Sequence, residues 1–511
     1  MLFMGIDLGT TGLKAVLADE EGRILGSGYR TYPLEVPRPG WAQQDPIRWY
    51  GAMCEAIRAA LKETGADPAE IGGVSFSGQM HGLVALDASG EVLCPAIIHC
   101  DGRAGKQRRE ALGRVTREQL ERWVQNRPHC GFQALSLMWL REERSGIYAR
   151  LRHALLPKDY LRYRLTGEYA SEVTDACSTL LFDCAHEEWS RDMLEALDID
   201  PSVLPEAGHR PADPAGRVTR QAALETGLRE GTPVVFGGGD SCMQAVGNGL
   251  LEPGCASVNL GTSAQLLAAM DRPYCDPMLR THTFCHAPAG RWYIMGAVLN
   301  ACLAQNWFAD GVLGGAELEA LTGEAGRTPP GARGLIFLPY LTGERTPHMN
   351  ENARAAFLGL TLAHSRGDML RAVLEGVAYS LRDCLEIIRE LKVPADRVTL
   401  SGGGARSGLW RQILADVLEM PLVRTDMREQ AAMGAIICAQ LARGVYSSFE
   451  EACARQVRLL DEPTLPDPAM AERYREGFDM YREAYRANRE LYDRMRAFAE
   501  KYAQGEESRE P

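Results

Sequence analysis

The segment "MGIDLGTTGLKAVL", which starts at Met4, returns in outline as "SVNLGTSAQLLAA" from Ser257. Asp7-Leu8-Gly9-Thr10-Thr11 then aligns with Asn259-Leu260-Gly261-Thr262-Ser263 at a constant offset of 252 positions. Each copy is an apolar run, a Gly/Thr turn and a second apolar run, which is the pattern of a β-hairpin. A repeat at about half the length of a 511-residue chain implies two similar domains, and a chain of that length exceeds one ordinary core. The copies differ at one position that matters chemically: the first carries Asp7 and the second Asn259.

A tight turn of Gly and Thr between two strands gathers backbone N–H groups and hydroxyls into a concavity that suits phosphate oxygens. The same residues also build ordinary hairpins, so one copy says little. Two matched copies suggest two domains that each offer a turn to a different phosphate of one nucleotide. One Mg²⁺, held by a carboxylate through water, suffices to bridge those phosphates. On this reading Asp7 serves the metal, and Asn259 keeps the shape without a second charge that the phosphates would repel. A third glycine-rich element, "LSGGGARSGLW" from Leu400 to Trp410, offers close backbone approach to a nucleobase or ribose and a helix N-terminus near Ser407. A plain strand-to-helix turn reads the same way. The chain has no G-x-x-x-x-G-K-[ST] phosphate loop.

Strands alternate with helices through the first half to about Gly239, so that half reads as α/β. A helix is expected from Ile47 to about Thr64 and another from Ser365 to Leu391, with Ser365 as its N-cap. Near the C-terminus Tyr474, Phe478, Tyr481, Tyr485, Tyr492 and Met495 share one helical stripe, expected to pack on its own domain, and "GEESREP" is expected to be frayed. The boundaries expected are 1–245 for the first domain, 246–490 for the second, and 491–511 for the end of the last helix with its tail.

The net charge of −12 and the lack of a Lys/Arg block argue against a nucleic-acid partner. No run of about 18 apolar residues and no signal-peptide pattern occurs, so a cytoplasmic protein without a membrane partner is expected. Fourteen cysteines are scattered singly through apolar stretches, as small buried hydrophobes in a reducing compartment would be.

The three phosphate-type elements, in this order, resemble the actin/Hsp70/sugar-kinase superfamily, whose members have two RNase-H-like domains with ATP in the cleft between them. "SGQMHGLV" (Ser77–Val84), "LPKDYLRYRLTGEYASEVTDA" (Leu156–Ala176), "GGGDSCMQAVGNG" (Gly237–Gly249) and "LPYLTGERTPHMNENARAAFLGL" (Leu338–Leu360) narrow the resemblance to the FGGY carbohydrate kinases. Together the motifs span residue 4 to about 440. The resemblance implies an α/β fold of two such domains and an ATP-dependent kinase. The acceptor it implies is the 5-hydroxyl of D-xylulose, giving D-xylulose 5-phosphate and ADP. Ribulose, fuculose, gluconate or glycerol are the alternative acceptors, and a non-catalytic ATP-binding regulatory protein is the alternative class. It also implies Asp240 as catalytic base, Gln79, Met80 and His81 at the sugar with Asp101 and Arg103, and Thr10, Thr11 and Lys14 on the phosphates from one side. Gly261, Thr262 and Ser263 would approach them from the other side, Gly403 and Ser407 would lie near the adenosine, and Asp7 would hold Mg²⁺ through water. Sugar and ATP are the expected partners, and a homodimer is the assembly considered. One departure bears on the sugar: in "HCDGR" His99 stands where the family shows a tryptophan, while Asp101 and Arg103 are kept.

The residues can be weighed without the resemblance. Phosphoryl transfer to a hydroxyl depends on positioning and charge neutralisation, with a carboxylate to receive the proton. Asp240 fits that role or a helix N-cap, and the two can coexist. His81, flanked by Gln79 and Gly82, suits a sugar hydroxyl or a satisfied core position. "HTFCH" (His282–His286) alternates as a strand does, and no partner pair of metal ligands accompanies it. Arg345 in "GERTPH" reads as structural or as facing the acceptor.

Overall fold

A computed structural model describes residues 1–503, which form two compact units. The first comprises Met1–Glu252, Ala269–Tyr293 and Asp426–Arg458; the second comprises Pro253–Ala268, Ile294–Thr425 and the chain from Leu459 onward. The "GEESREP" tail lies outside the described residues.

In the first unit β1 (Leu2–Leu8), β2 (Gly12–Ala18) and β3 (Ile24–Thr31) form an antiparallel meander. Helix α1 (Pro46–Thr64) then leads to β4 (Ile71–Gly78), which returns parallel to β1. After helix α2 (Pro157–Thr166), β5 (Pro214–Arg217) and β6 (Pro233–Val235) extend the sheet to the order β5-β6-β4-β1-β2-β3. Short strand β7 (Gly238–Gly239) pairs with the end of β4 and runs straight into α3 (Asp240–Gly247). β1 and β4 are buried along almost their whole length, so both read as continuous apolar runs rather than alternating ones. Helix α1 begins at Pro46 behind the N-cap Asp45, whose carboxylate accepts from Ile47 N–H at 2.9 Å, and ends on Gly65 in the left-handed region.

The helix Gln430–Ala442 belongs to this first unit, although the whole second repeat precedes it in the chain. It packs so closely on β1 that a Cβ at Gly5 would lie 2.2 Å from Ala432 O, which only glycine permits.

The second unit repeats the plan. β8 (Gly254–Leu260), β9 (Ala264–Met270) and β10 (Trp292–Val298) precede the long helix α4 (Arg366–Glu390) and the parallel return strand β11 (Ala395–Ser401). Helix α5 (Gly408–Leu418), β12 (Leu422–Thr425) and β13 (Leu459–Thr464) follow, and six of the seven strands of the sheet run in the order β10-β9-β8-β11-β12-β13. The two sheets match strand for strand at their centres. Asp7 sits opposite Lys14 on one neighbour and Ser77 on the other; Asn259 sits opposite Gln265 and Ser401. The second turn is one residue shorter, since β1 and β2 close at Leu8–Leu13 but β8 and β9 close at Leu260–Ala264. The constant offset therefore ends at the turn, and the residue facing Asn259 is neutral.

Helix α4 begins at Arg366, with Ser365 and Asp368 forming the reciprocal capping pair. The terminal helix α6 (Ala471–Ala503) lays its stripe on this unit. Tyr474, Phe478, Tyr481, Tyr485 and Tyr492 are buried, and Met495 is exposed. Tyr474 accepts from Arg371 at 2.9 Å, and Tyr481 shares hydrogen bonds with Ser380 at 2.7 Å and Tyr340 at 2.5 Å. Most of the cysteines are buried, and three of them, Cys177, Cys184 and Cys285, have sulfurs within 4.8 Å of one another. Among the described residues no helix is long and apolar enough to cross a membrane.

Candidate active site

The turn between β1 and β2 has its carbonyls tied back into the first unit. Gly9 O accepts from the Tyr32 hydroxyl, Thr10 O from Gln44 Nε2 at 2.8 Å, and Thr11 O from Tyr32 N–H at 3.5 Å. With the carbonyls held inward, the amides and hydroxyls of half-buried Thr10 and exposed Thr11 are what the turn presents outward. Asp7 ends the strand below it and accepts from Ser77 Oγ at 2.8 Å. Lys14 is not aimed into open space: its ammonium lies 2.6 Å from Glu429, just ahead of the Gln430–Ala442 helix. Burial raises the pKa of Asp7 above the ordinary aspartate value; the Ser77 hydrogen bond opposes this, Glu429 adds to it and Lys14 opposes it.

Where β4 ends, Gln79 N–H still donates to Leu8 O at 2.8 Å. The Gln79 side chain donates to Gln44 Oε1 at 3.2 Å, so Gln44 links Gln79 to the Thr10 turn. Gln79 Oε1 is buried with no hydrogen-bond partner among the described residues, an acceptor suited to a hydroxyl. Met80 packs on Gly239, where a Cβ would come within 2.8 Å of its side chain, and so adjoins the residue before Asp240. His81 holds a left-handed φ of 74°, a conformation that must be imposed on a non-glycine residue. Ser178 imposes it, accepting from His81 N–H at 3.1 Å and meeting Nδ1 through its carbonyl at 2.8 Å. Phe132 stacks on the ring with a centroid distance of 4.5 Å.

Asp240 is the first residue of α3, with Gly239 rather than Asp240 in the N-cap position. Its Oδ1 accepts from Ser241 N–H at 2.6 Å and from the Ser241 hydroxyl at 3.2 Å. Burial, and then the charge of Asp7, push its pKa up to about 6 against those two hydrogen bonds. A carboxylate that ionises near neutrality is a competent proton acceptor. The buried Asp7 carboxylate, whose charge also raises the Asp240 pKa, is a hard oxygen donor of the kind a divalent cation such as Mg²⁺ prefers, so Asp7 fits such an ion.

Asp101 and Arg103 pair with each other. Asp101 Oδ2 accepts from Ala42 N–H at 2.6 Å and from Arg103 Nε at 2.9 Å, and Oδ1 accepts from Arg103 N–H at 2.8 Å. Arg103 also donates to Gln43 Oε1 at 3.0 Å and lies over the Trp41 ring at 4.0 Å. The pair braces the 38–44 loop beside a cavity of about 390 Å³ lined by Trp41, Gln43, Arg103 and Trp139, whose lining includes none of Met80, His81 and Asp240. Through the loop it holds Gln43, whose neighbour Gln44 reaches Thr10 and Gln79.

In the second unit the carbonyls of the Gly261–Ser263 turn are likewise used internally. Gly261 O accepts from Cys302 N–H and Thr262 O from Ala301 and Leu303 N–H, each at 3.0 Å, while Thr262 and Ser263 are exposed. Gly402, at φ 87°, passes so close to this hairpin that a Cβ would lie 2.6 Å from Asn259 Oδ1 and from Leu260 O. Asn259 is therefore wedged against the glycine-rich turn, a packing reason for its shape. Gly403 is exposed, and the Ser407 hydroxyl caps α5 by accepting from Trp410 N–H at 3.3 Å. In the same unit, Glu344 of "GERTPH" accepts from the backbone of Leu299 at 2.9 Å and of Arg345 at 2.8 Å, and burial raises its pKa to about 8.

Several residues that shape these sites were not singled out from the sequence. Ser77, Thr174 and Lys158 lie inside quoted motifs and Ser178 two residues beyond one, but motif membership did not say which side chain supports which. Gln44 and Glu429 carried no local signal at all.

The strand order, the repeated hairpin and the placement of these residues define a two-domain phosphotransferase of the sugar-kinase type, with an RNase-H-like core in each unit. The chain belongs to the FGGY family of carbohydrate kinases: residues 2–247 match its N-terminal domain and residues 256–443 its C-terminal domain. It is 36% identical to the xylulose kinase of Escherichia coli (strain K12) over 495 residues, covering 97% of this chain and 98% of that one. Among solved structures, the xylulose kinase from Lactobacillus acidophilus superposes with a TM-score of 0.91 at 27% identity, over 97% of this chain and 99% of that chain. The gluconate kinase from the same organism reaches 0.91 at 28% identity, over the same shares of the two chains.

Proposed function

We propose that this carbohydrate kinase transfers the γ-phosphoryl group of ATP to the 5-hydroxyl of D-xylulose. The observation that carries the acceptor is the near full-length match to a protein named xylulose kinase, at 36% identity. In the mechanism proposed, the bond from the sugar O5 to the γ-phosphorus forms as the bond from that phosphorus to the bridging oxygen breaks, and ADP leaves. Asp240 takes the O5 proton as the new bond forms, and Gln79 Oε1 and the His81 ring orient the sugar. The amides and hydroxyls at Thr10 and Thr11, and those of Gly261, Thr262 and Ser263, are the proposed phosphate donors, with Lys14 as the cation nearest the first turn. Gly403 and Ser407 are assigned to the adenosine. A Mg²⁺ ion held through water at Asp7 supplies charge neutralisation to the phosphates when bound. A consumer of ATP works where ATP is available, which places the enzyme in the cytoplasm on this reading. A homodimer is the assembly proposed, and light scattering on the purified chain tests it.

Gluconate is the second acceptor worth naming, because a gluconate kinase superposes as well as a xylulose kinase does. ADP release measured across pentuloses, polyols and aldonates decides between them. D-Xylulose should give the highest kcat/KM, and a higher value with gluconate would overturn the acceptor proposed.

A further inference from the structure

Two hydrogen bonds join the proposed acceptor site to one buried segment, residues 171–181, that makes no contact with the reaction in the mechanism above. Gly239 N–H, immediately before the base Asp240, donates to Thr174 Oγ1 at 3.2 Å. His81 N–H donates to Ser178 Oγ at 3.1 Å. Ser178 Oγ in turn donates to Asp175 Oδ1 at 3.3 Å, and the Glu172 carboxylate accepts from Thr174 N–H at 2.7 Å and Asp175 N–H at 3.0 Å. One short piece of chain thus holds both the backbone that carries the base and the strained backbone that carries the imidazole.

The segment is anchored by Lys158 of α2. This side chain has no exposure, and its ammonium lies 2.7 Å from Asp159 Oδ1, 3.2 Å from Glu172 Oε1 and 3.5 Å from Asp175 Oδ2. Its stem runs directly under the end of β4, where a Cβ at Gly78 would lie 2.7 Å from Lys158 Cβ. An ammonium taken out of water is costly, and apolar residues of the same size would fill the space without that cost. The charges therefore answer a need for position. Burial works against the ammonium, yet Asp159, Glu172 and Asp175 together raise its pKa above the ordinary lysine value.

We propose that Lys158 is a positioning residue for phosphoryl transfer: through Glu172 and Asp175 it fixes the buried segment, whose Thr174 hydroxyl sets Gly239 and Asp240 and whose Ser178 hydroxyl sets His81. This rests on the reading of Asp240 as base and His81 as a sugar contact. It divides the labour in a testable way, because Thr174 acts on the proton acceptor and Ser178 on the bound sugar.

Kinetics with D-xylulose and ATP test it. Thr174→Val keeps the shape and removes the acceptor; kcat should fall about 10- to 100-fold with both KM values nearly unchanged. Thr174→Ser, which keeps the hydroxyl, should restore most of the loss. Ser178→Ala should instead raise the KM for sugar about tenfold and change kcat little. Lys158→Met should combine both effects, and if it does not fold the two hydroxyl variants still decide. The positioning role is overturned if Thr174→Val and Ser178→Ala keep wild-type constants. It is equally overturned if each variant only lowers kcat in proportion to its unfolded fraction measured by circular dichroism, with KM for sugar unchanged in Ser178→Ala and no rescue by Thr174→Ser. Asp240→Asn run alongside separates the two readings. Wild-type turnover there overturns the base and this inference with it, whereas an inactive Asp240→Asn beside fully active hydroxyl variants overturns the positioning role alone.

Discussion

The Lys14 ammonium lies 2.6 Å from the Glu429 carboxylate, a pair brought together from 415 positions apart. Both side chains are about one-third exposed, so the pair contributes little to stability and much to the local field. It places an anion beside the turn proposed to receive phosphate and occupies the cation proposed to meet it.

Glu429→Gln should release Lys14 without disturbing the fold. The expected result is a KM for ATP about two- to fivefold lower, with the melting temperature nearly unchanged because the pair is partly exposed and worth little. Steady-state kinetics with ATP varied checks this, and an unchanged or higher KM would show that Lys14 does not transfer to the nucleotide.

Asp240→Asn should lower turnover by at least about three orders of magnitude, since an amide cannot accept the sugar proton, while nucleotide binding persists. Calorimetric titration with ADP and an ADP-release assay separate the two effects. Turnover within tenfold of the parent would show that Asp240 is not the base.

The pKa of about 6 at Asp240 sets two pH effects. The kcat/KM for sugar should fall below about pH 6 as the carboxylate protonates, and the fall should move to lower pH in Asp7→Asn, which removes a charge that raises it. The stability effect has the opposite sense. A group whose pKa is raised on folding contributes most at low pH and loses that contribution as pH rises through the folded value. Asp240→Asn should therefore be more stable than the parent at pH 8, by up to about 3 kcal/mol, with the difference vanishing toward pH 4. Thermal melts across that range check it, and a gap constant with pH would remove the ionisation from the explanation.

Asp7→Asn should weaken Mg²⁺-dependent turnover far more than ADP affinity measured without Mg²⁺, because the carboxylate serves the ion and the turn amides serve the phosphates. An equal loss in both measurements would make Asp7 structural, through its hydrogen bond from Ser77.

Gly402→Ala adds a Cβ 2.6 Å from Asn259 Oδ1 and Leu260 O at a φ of 87°. The clash and the left-handed backbone together should cost about 2 kcal/mol or more. They should displace the turn that leads to Gly403 and Ser407. The KM for ATP should rise with that for sugar unaffected, and a parallel rise in both would detach this turn from the nucleotide.

Much of the molecule follows from local chemistry and was legible in the residues alone. The doubled hairpin fixes a doubled topology, because an apolar run, a Gly/Thr turn and another apolar run can close in few ways. Ser365 starts its helix by satisfying an end amide three residues on. The tyrosine stripe of α6 predicts its buried face from a spacing of three and four, down to Tyr492, beyond which Met495 is exposed.

What the sequence could not carry are relationships between residues with no local tie. The second turn is one residue shorter, so Gln265 rather than a counterpart of Lys14 faces Asn259, and an alignment by constant offset conceals this because register is set by strand pairing. The helix Gln430–Ala442 joins the first unit through close approaches at Gly5 on β1 and at Gly247 and Gly434 against α3. His81 takes a left-handed backbone where Ser178, 97 positions on, accepts its amide hydrogen. A hydrogen bond or an ion pair depends on where two atoms meet in space. The sequence by itself therefore determined which groups this kinase carries and which local elements they sit on, and the tertiary structure alone decided which carboxylate faces which cation and which hydroxyl holds which amide.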